Sequence, residues 1–243
     1  MSRLRVRRAG VLASTVLLLA GSASYAEAGP LPPATTQATI EGLPRDSAPF
    51  AVTTGTLMHP DAPVRVHTGP DGPAVAVLPD TQLGNPTWVP VVAESPGWIR
   101  VLLPSRPNRS TGWVRRSETG LRFSRTTHLI TVDRSERRLT LHRDGRVVRR
   151  WRVAVGAPGT RTPVGRTFVL ASLDARGRLV LPTGTHSESL DTYGGGPGTV
   201  ALHGWPRRSA FGRAVSHGCV RVPSSALRAL AKVPLGTLVL ITY

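Results

Sequence analysis

Cysteine, lysine and long apolar runs are all scarce in this chain. Cys219 is the single cysteine, and Lys232 is the single lysine among 31 lysine and arginine residues. A lone cysteine cannot form an intramolecular disulfide, which excludes a disulfide-stapled scaffold. The run from Val11 to Ala20 is too short to span a bilayer comfortably, and no later stretch is long and apolar enough to do so.

The N-terminus has the features of an export signal. Arginines at 3, 5, 7 and 8 precede the short apolar run, and small residues lead to Ala26. We therefore expect residues 1–26 to be a signal peptide cleaved near Ala26, with an uncleaved anchor as the alternative. The protein is then expected in the extracytoplasmic cell envelope, on the cell-wall or periplasmic side.

The chain is strongly basic, with a formal net charge of +17. Its arginines are spread along the sequence and are not interleaved with aromatic residues, which argues against nucleic-acid binding. An anionic wall polymer is a partner that this charge would suit, and a merely solvated basic surface is the alternative.

Two folded segments are predicted after a spacer. Residues 27–54 are rich in Pro, Ala and Thr without hydrophobic periodicity, so we expect a flexible linker there. Residues 55–118 contain short apolar-alternating runs separated by Gly and Pro turns, a pattern typical of a small β-barrel. This segment resembles a bacterial Src-homology-3-like domain in Val64-Arg65-Val66, Gly69-Pro70, Gly97-Trp98 and Gly112-Trp113-Val114. The resemblance implies a wall-binding or spacing module.

Residues 125–243 are predicted to form a second, mainly β domain. Runs at 128–132 and 138–142 alternate, and Asp144-Gly145 predicts a hairpin turn before the strand at 147–155. Residues 223–232 are expected to form one short helix capped by Ser224 or Ser225. His186 is expected on a surface loop.

The surroundings of Cys219 suggest a nucleophile. Most free cysteines are small buried apolar residues, but this one stands in the run Ser216-His217-Gly218-Cys219 of an exported chain. A thiol needs a base to react near neutral pH. No histidine follows His217, so any base precedes Cys219; His203, at a predicted strand end, and His217 are the two candidates nearest in sequence. Gly218 suits a tight turn whose amides could face a reacting carbonyl. Spacing typical of a zinc site is absent, so we expect no metal.

These residues resemble the L,D-transpeptidase catalytic domain of the YkuD type. The similarity covers His203-Gly204-Trp205, the run from Val215 to Val222, and upstream segments that include Asp144-Gly145 and the stretch Thr162-Pro163-Val164-Gly165. The sequence departs from the family at Arg221, where some members have Asn, and at Trp205, where a small polar residue is common. The implied fold is a β-sandwich-like catalytic domain with a short helix, preceded here by the small barrel.

The resemblance also implies roles for individual residues. Cys219 matches the nucleophile and His203 the general base, with His217 in the catalytic turn. Gly204 stands where a carbonyl would orient the imidazole, Gly218 and Cys219 where amides could form an oxyanion hole, and Ser216 where a hydrogen bond could support the turn. Arg221 and Tyr193 are the substrate-binding candidates, Tyr193 beside a glycine run that is either a lid or a plain loop.

The implied activity belongs to cell-wall biogenesis and cell shape. It is the formation of 3→3 cross-links in peptidoglycan through a cysteinyl thioester, with release of D-Ala from a donor tetrapeptide stem and with carbapenems as expected inhibitors. This reaction is expected to need no metal and no organic cofactor. Donor and acceptor stem peptides are the expected partners. An L,D-carboxypeptidase, an enzyme that joins a protein to the wall, and a non-catalytic wall-binding protein remain alternatives.

Overall fold

The computed structural model describes residues 29–243, so the predicted signal peptide and its cleavage site lie outside the described residues. Residues 31–243 form one compact unit. Its first part contains nine strands: β1 Thr56–Pro60, β2 Val64–His67, β3 Ala74–Leu78, β4 Thr81–Gln82, β5 Asn85–Pro86, β6 Val89–Ser95, β7 Trp98–Leu102, β8 Thr111–Arg115 and β9 Leu121–Arg125.

The second part contains thirteen strands and one α-helix, and a single 3₁₀ turn, Arg208–Ala210, lies before β20. These elements are β10 His128–Asp133, β11 Arg138–Arg143, β12 Arg146–Arg152, β13 Val155–Gly156, β14 Gly165–Phe168, β15 Leu173–Asp174, β16 Leu179–His186, β17 Thr192–Tyr193, β18 Gly196–Pro197, β19 Thr199–Gly204, β20 Ala214–Ser216, β21 Val220–Val222, α1 Ser224–Leu230 and β22 Leu238–Thr242.

Seven of the first nine strands form one sheet, in the order β3-β2-β8-β7-β6-β1-β9. Alternation explains their burial: Val64 and Val66 point into the core while Arg65 between them is exposed. Gly112 is required at its position, since a Cβ there would lie 2.1 Å from Cγ1 of Val66. The sheet extends to Arg125 through β9, past the predicted domain end at residue 118. Its likeness to a Src-homology-3-like barrel stays a prediction.

The second part confirms the mainly β prediction. A five-stranded sheet, β12-β11-β10-β22-β14, and a four-stranded sheet, β15-β16-β19-β21, contribute to one hydrophobic core. Val132 and Leu139 from the first sheet and Leu202 and Val220 from the second are fully buried in this core. The predicted hairpin is present: Asp144 and Gly145 have φ values of 52° and 71°, and they connect the antiparallel strands β11 and β12. Two positive φ values are typical of the tight turn that matches strand twist.

The helix is shorter than predicted and is not capped by serine. It spans Ser224–Leu230, and Pro223 occupies the N-cap position without a side-chain hydrogen bond. Ser224 is already helical, so neither serine acts as the cap. Pro223, with φ −68° and ψ 157°, is pre-set in the extended conformation that leads into a first turn. Ala226 and Leu230 face the core.

Part of the predicted flexible linker is packed, which differs from our expectation. Ala34, Ile40 and Leu43 are buried in the core of the first sheet. The backbone of this segment also bonds to the folded body, with Ile40 N–H donating to the Arg106 carbonyl at 2.9 Å. Widely spaced single apolar residues and backbone bonds explain the order, and neither leaves a periodic signal in the sequence.

The two parts of the compact unit share a core. Phe168, Leu170 and Leu238, which belong to the second part, are buried in the same cluster as the apolar residues of the first sheet. Gly236 makes close contact at this junction, because a Cβ there would lie 3.0 Å from Cβ of Trp88. Within residues 29–243, no helix has the length and apolar character needed to cross a membrane.

Candidate active site

The candidate site is built on two neighbouring parallel strands, β19 and β21. Leu202 is paired with Val220 and His203 with Arg221. Paired residues of neighbouring strands point to the same face, and alternate residues share that face. Cys219, directly before Val220, therefore lies beside Ala201, on the same face as His203 and Arg221. The pairing of β19 with β21, together with the turn directly before β21, brings the predicted nucleophile and the predicted base together.

A cavity of about 320 Å³ opens on this face. Cys219, His203, His217, Arg221 and Tyr193 all line it, so five of the eight predicted site residues share one cavity. The other lining residues come mainly from β19 and from the loop before it: Val180, Ser187, Leu190, Pro197, Gly198, Thr199, Val200, Ala201 and Trp205. The remaining three predicted residues, Ser216, Gly218 and Gly204, are not among the lining residues.

The imidazole of His203 is held by its neighbour. Its Nδ1 lies 2.9 Å from the carbonyl oxygen of Gly204. Because a carbonyl oxygen only accepts, Nδ1 carries the proton in this arrangement and Nε2 presents a lone pair. Burial lowers the pKa of His203; the Gly204 hydrogen bond opposes this shift and the positive charge of Arg221 adds to it. The ring is therefore neutral at neutral pH and able to accept a proton.

The thiol of Cys219 is also kept neutral by its surroundings. Burial raises its pKa, while a backbone hydrogen bond from Ala201 and the charge of Arg221 act in the opposite direction. Both groups of the pair thus favour their uncharged forms at rest. The arrangement suits proton transfer during attack rather than a standing thiolate–imidazolium pair.

The turn before Cys219 is fixed by Ser216. Its hydroxyl donates to the Cys219 carbonyl at 2.5 Å and accepts the Gly218 amide at 3.2 Å. The Gly218 amide is therefore engaged and does not face the cavity as an oxyanion donor, which differs from our expectation. The amide of Cys219 has no acceptor among residues 29–243. Gly218 has φ +120°, so its role is to permit the turn.

Two threonines that brace this turn were missed as site residues. Thr162 Oγ1 is fully buried, donates to the Gly218 carbonyl at 2.8 Å and accepts the Gly156 amide at 2.9 Å. Thr160 Oγ1 donates to the Ser216 carbonyl at 2.9 Å. Thr162 stands in the stretch that supported the family resemblance, and that was the available signal. No local pattern indicates a contact between residues 56 positions apart.

His217 and Tyr193 meet at the exposed rim of the cavity. His217 is exposed, and its ring centroid lies 5.3 Å from that of Tyr193. Tyr193 is 56% exposed and belongs to the short hairpin of β17 and β18. The two rings therefore border the entrance, while Cys219 and His203 lie deeper.

Arg221 is the charged group inside the cavity. It is 9% exposed, its Nη1 donates to the Val215 carbonyl at 3.3 Å, and its Nε has no partner among the described residues. Its guanidinium lies 3.6 Å from the centroid of the Trp205 ring. No acidic side chain among the described residues pairs with Arg221, so its guanidinium is a candidate for contact with an anionic group of a ligand.

A second groove adjoins the cavity at His203. It has a volume of about 860 Å³ and shares Val180, His203 and Trp205 with the first. Gly204 lines this groove, as do Leu227 and Arg228 of α1. The proposed base therefore borders two open spaces. Among residues 29–243, no three His, Cys, Asp or Glu side chains cluster as a metal site would require.

His186 corrects a further expectation. It was predicted on a surface loop but is 2% exposed. Its Nδ1 lies 2.7 Å from the Ser187 carbonyl and its Nε2 3.1 Å from the Asp191 carbonyl. The side chain therefore fills the base of the loop that borders the cavity.

The fold and the site together define a mainly β protein with a paired cysteine and histidine in a cavity. Sequence comparisons identify the family of this protein. Residues 127–241 match the family model of the YkuD L,D-transpeptidase catalytic domain. The chain is also 32% identical over 149 residues to YkuD of Bacillus licheniformis, a protein assigned to the L,D-transpeptidases. That alignment covers 59% of this chain and 86% of the relative. The chain belongs to the YkuD-type L,D-transpeptidase family.

Solved structures of the same class are also similar. One is an L,D-transpeptidase from Mycobacterium smegmatis, with a TM-score of 0.43 and 17% identity over 62% of this chain and 80% of that one. Another is an L,D-transpeptidase in complex with imipenem, with a TM-score of 0.43 and 15% identity over 60% of this chain and 91% of that one. The family assignment is based on the sequence comparisons.

Proposed function

We propose that this protein is a peptidoglycan L,D-transpeptidase that forms 3→3 cross-links through a thioester on Cys219. The observation that carries the proposal is the placement of His203, on β19, and Cys219, directly before β21, in one cavity, with His203 Nδ1 bound to the Gly204 carbonyl. This arrangement leaves Nε2 as the free base within the cavity that also contains the thiol.

In the proposed first step, the Cys219 sulfur attacks the carbonyl of the third residue of a donor tetrapeptide. An S–C bond forms and the C–N bond to the terminal D-Ala breaks. The thiol proton passes to His203 Nε2 and then to the departing amine. The amide of Cys219, which has no other acceptor among residues 29–243, is the donor available to the oxyanion.

In the second step, a side-chain amine of an acceptor stem attacks the thioester. A new C–N bond forms, the S–C bond breaks, and the amine proton returns through His203 to the sulfur. The neutral resting forms favoured by burial suit this sequence, since His203 must accept a proton in each step. Water as the acceptor would give an L,D-carboxypeptidase, and a protein amine would give attachment to the wall.

We assign supporting roles to the other residues. Ser216 and Gly218 hold the turn that presents Cys219, and His217 with Tyr193 shapes the entrance. Arg221 is placed to bind a carboxylate of the donor stem, because its charged side chain lines the cavity that also holds the thiol and pairs with no acidic side chain among residues 29–243.

The deciding experiment is a product assay with purified disaccharide-tetrapeptides. We expect the protein that comprises residues 27–243 to release D-Ala and yield 3→3 dimers, and its Cys219→Ala variant to yield neither. His203→Gln should also be inactive, whereas Thr160→Ser, which keeps a hydroxyl at the turn, should remain active. Tripeptide without dimer would assign hydrolysis in place of transfer. Turnover by Cys219→Ala would refute the proposed nucleophile.

We also propose export to the cell envelope and contact with an anionic wall polymer. Strand β12, at one edge of its sheet, carries four arginines without an acidic partner among residues 29–243: Arg146, Arg149, Arg150 and Arg152. Such a row suits a polyanion. Sedimentation with purified wall at rising salt tests this, and Arg146→Gln/Arg150→Gln should bind more weakly than Arg115→Gln/Arg116→Gln, whose arginines pair with Asp71 and Glu94. Equal binding by both variants would contradict it.

A further inference from the structure

One wall of the catalytic cavity is a single loop, residues 187–198. Ser187, Leu190, Tyr193, Pro197 and Gly198 of this loop all line the cavity. The loop is closed at its base, where the Ser187 amide donates to the Gly198 carbonyl at 2.7 Å. Its position therefore determines how much room lies beside Cys219.

The base of the loop packs on His186. Both ring nitrogens of His186 face carbonyl oxygens of the loop, those of Ser187 and Asp191. Gly198 lies against the same ring, since a Cβ there would be 3.1 Å from His186 Cε1 and 2.0 Å from the Leu190 oxygen. A displacement of His186 would consequently move the loop as a unit.

His186 is held in turn by Asn108, which belongs to the first part of the fold. The Asn108 side chain donates to the His186 carbonyl at 2.7 Å and accepts the His186 amide at 2.9 Å. Its amide group also lies 3.5 Å from a carboxylate oxygen of Glu188. These bonds satisfy both backbone groups of one residue with a single side chain, which fixes the chain direction at the start of the loop.

Two further contacts join the same loop to distant segments. Arg106 donates to the Asp191 carboxylate at 2.9 Å, and Thr36 Oγ1 lies 2.7 Å from Oγ1 of Thr199 at the end of the loop. The Arg106 pair is exposed, so it contributes little by itself. Asn108 is half-buried and makes two bonds, so it is the principal contact.

We propose that Asn108 is a positioning residue for the active site. It holds His186, His186 holds the 187–198 loop, and the loop sets the width of the cavity at Cys219. The first part of the fold then controls access to the thiol directly, independently of any binding to the wall. Only the kinetic part of this inference depends on the proposed transpeptidase activity.

The test compares Asn108→Ala with Asn85→Ala. These are the two asparagines of the chain. Asn85 is also half-buried and also joins the two parts, because its side chain accepts the Ser172 amide at 3.2 Å, but it does not contact the loop. Arg106→Gln is a third, milder variant that leaves Asn108 in place.

The first measurement is amide hydrogen exchange, resolved by peptide. We expect exchange in residues 186–198 to accelerate by about tenfold in Asn108→Ala and about twofold in Arg106→Gln, as loss of two neutral hydrogen bonds and of one exposed ion pair would give. Exchange in the core strands β10 and β22 should not change. Asn85→Ala should leave the loop as in wild type.

The second measurement uses the lone thiol. Because Cys219 is the single cysteine, its modification by 5,5′-dithiobis(2-nitrobenzoate) reports one site. At fixed pH the reaction should be about tenfold faster in Asn108→Ala than in wild type or Asn85→Ala. With disaccharide-tetrapeptide as donor, KM should rise while kcat changes less, since the chemical groups are untouched.

Unchanged loop exchange and unchanged thiol reactivity in Asn108→Ala would overturn the inference, even in an active enzyme. Acceleration throughout the protein would also overturn it, because Asn108 would then stabilise the fold as a whole. If Asn108→Ala does not fold, Asn108→Asp decides through the same two measurements, because its carboxylate still accepts the His186 amide but no longer donates to the His186 carbonyl. No local acceleration in Asn108→Asp beyond that of Asn85→Ala contradicts the proposal. An inactive wild type would refute the proposed function but leave both of these readouts intact.

Discussion

The guanidinium of Arg221 lies against the indole of Trp205, with 3.6 Å between its central carbon and the ring centroid. Trp205 borders both the catalytic cavity and the adjoining groove, and its ring centroid is 6.1 Å from that of His203. A cation over an aromatic face is stabilised and loses freedom to rotate. Trp205 thus orients the single buried cation of the cavity.

Replacing Trp205 should weaken substrate binding more than chemistry. In Trp205→Ala, Arg221 loses the ring that holds it, so we expect KM for the donor tetrapeptide to rise by about fivefold to thirtyfold, as loss of about 1–2 kcal/mol would give. The KM of Trp205→Phe, which keeps an aromatic face, should rise less. Steady-state kinetics on both variants check this, and equal KM values for Ala, Phe and wild type would contradict it.

The pH profile should report the shifted pKa values of the catalytic pair. His203 must be neutral to act as a base, and its pKa is lowered below 6.5. Activity should therefore persist somewhat below pH 6.5 and fall only as His203 becomes protonated. The pKa of Cys219 is raised. The change in kcat/KM that reports ionisation of the thiol should therefore occur at a pH above the ordinary range of cysteine pKa values.

Arg221 gives this profile a second, sharper test. Its charge lowers the pKa of His203 and that of Cys219. In Arg221→Gln both limbs of the kcat/KM profile should move to higher pH. Measurement of the profile from pH 5 to 10 decides the point. Limbs that stay in place, or that move in opposite directions, would show that Arg221 does not act on both groups electrostatically.

The hydroxyl of Thr162 should contribute to the free energy of unfolding. Thr162→Val keeps the shape but leaves the buried Gly156 amide and Gly218 carbonyl without their partner. We expect the free energy of unfolding to fall by about 1–3 kcal/mol, since unsatisfied buried groups cost about that much. Thr162→Ser should lose less because the oxygen remains. Urea unfolding of the three proteins tests this, and equal losses in Val and Ser would contradict it.

The sequence carried enough information for the strands and for the reactive pair. Alternation predicted β10 and β11, and Asp144-Gly145 predicted the turn that connects β11 to β12. Cys219 stood out as the single cysteine, and His203 as one of the two histidines that most closely precede it. Such features depend on residue type or on neighbours in the sequence, so they can be recognised without a structure.

What the sequence did not indicate are contacts between distant segments. Asn108 meets His186 across 78 positions, and Asp46 meets Arg166 across 120. Neither pair leaves a periodic pattern, so residues 27–54 were expected to be a flexible linker and His186 to lie on a surface loop. The Gly218 amide was misjudged for a related reason, since the Ser216 hydroxyl competes with any substrate for that donor.

Removal of one partner of the buried Asp46–Arg166 pair should strongly lower the free energy of unfolding. Arg166 Nε and Nη2 donate to the two carboxylate oxygens at 2.6 and 2.7 Å, and both side chains are almost fully buried. Asp46→Ala leaves a buried charge unpaired, and we expect a loss of about 3–5 kcal/mol in the free energy of unfolding. In Asp46→Leu/Arg166→Met no charge is left buried, so much of this loss should be recovered. A double variant as unstable as Asp46→Ala would contradict the electrostatic explanation.

Carbapenems should acylate Cys219, because they present a strained amide to the same thiol. The sulfur attacks the β-lactam carbonyl, an S–C bond forms, the ring C–N bond breaks, and the ring nitrogen takes up the proton held by His203. Intact-mass spectrometry after incubation with meropenem should give one adduct on the wild type and none on Cys219→Ala. His203→Gln should react more slowly, since no base then removes the thiol proton from a group whose pKa is raised. An adduct on Cys219→Ala would place the reaction elsewhere, and an active wild type without an adduct would show that the cavity excludes the drug.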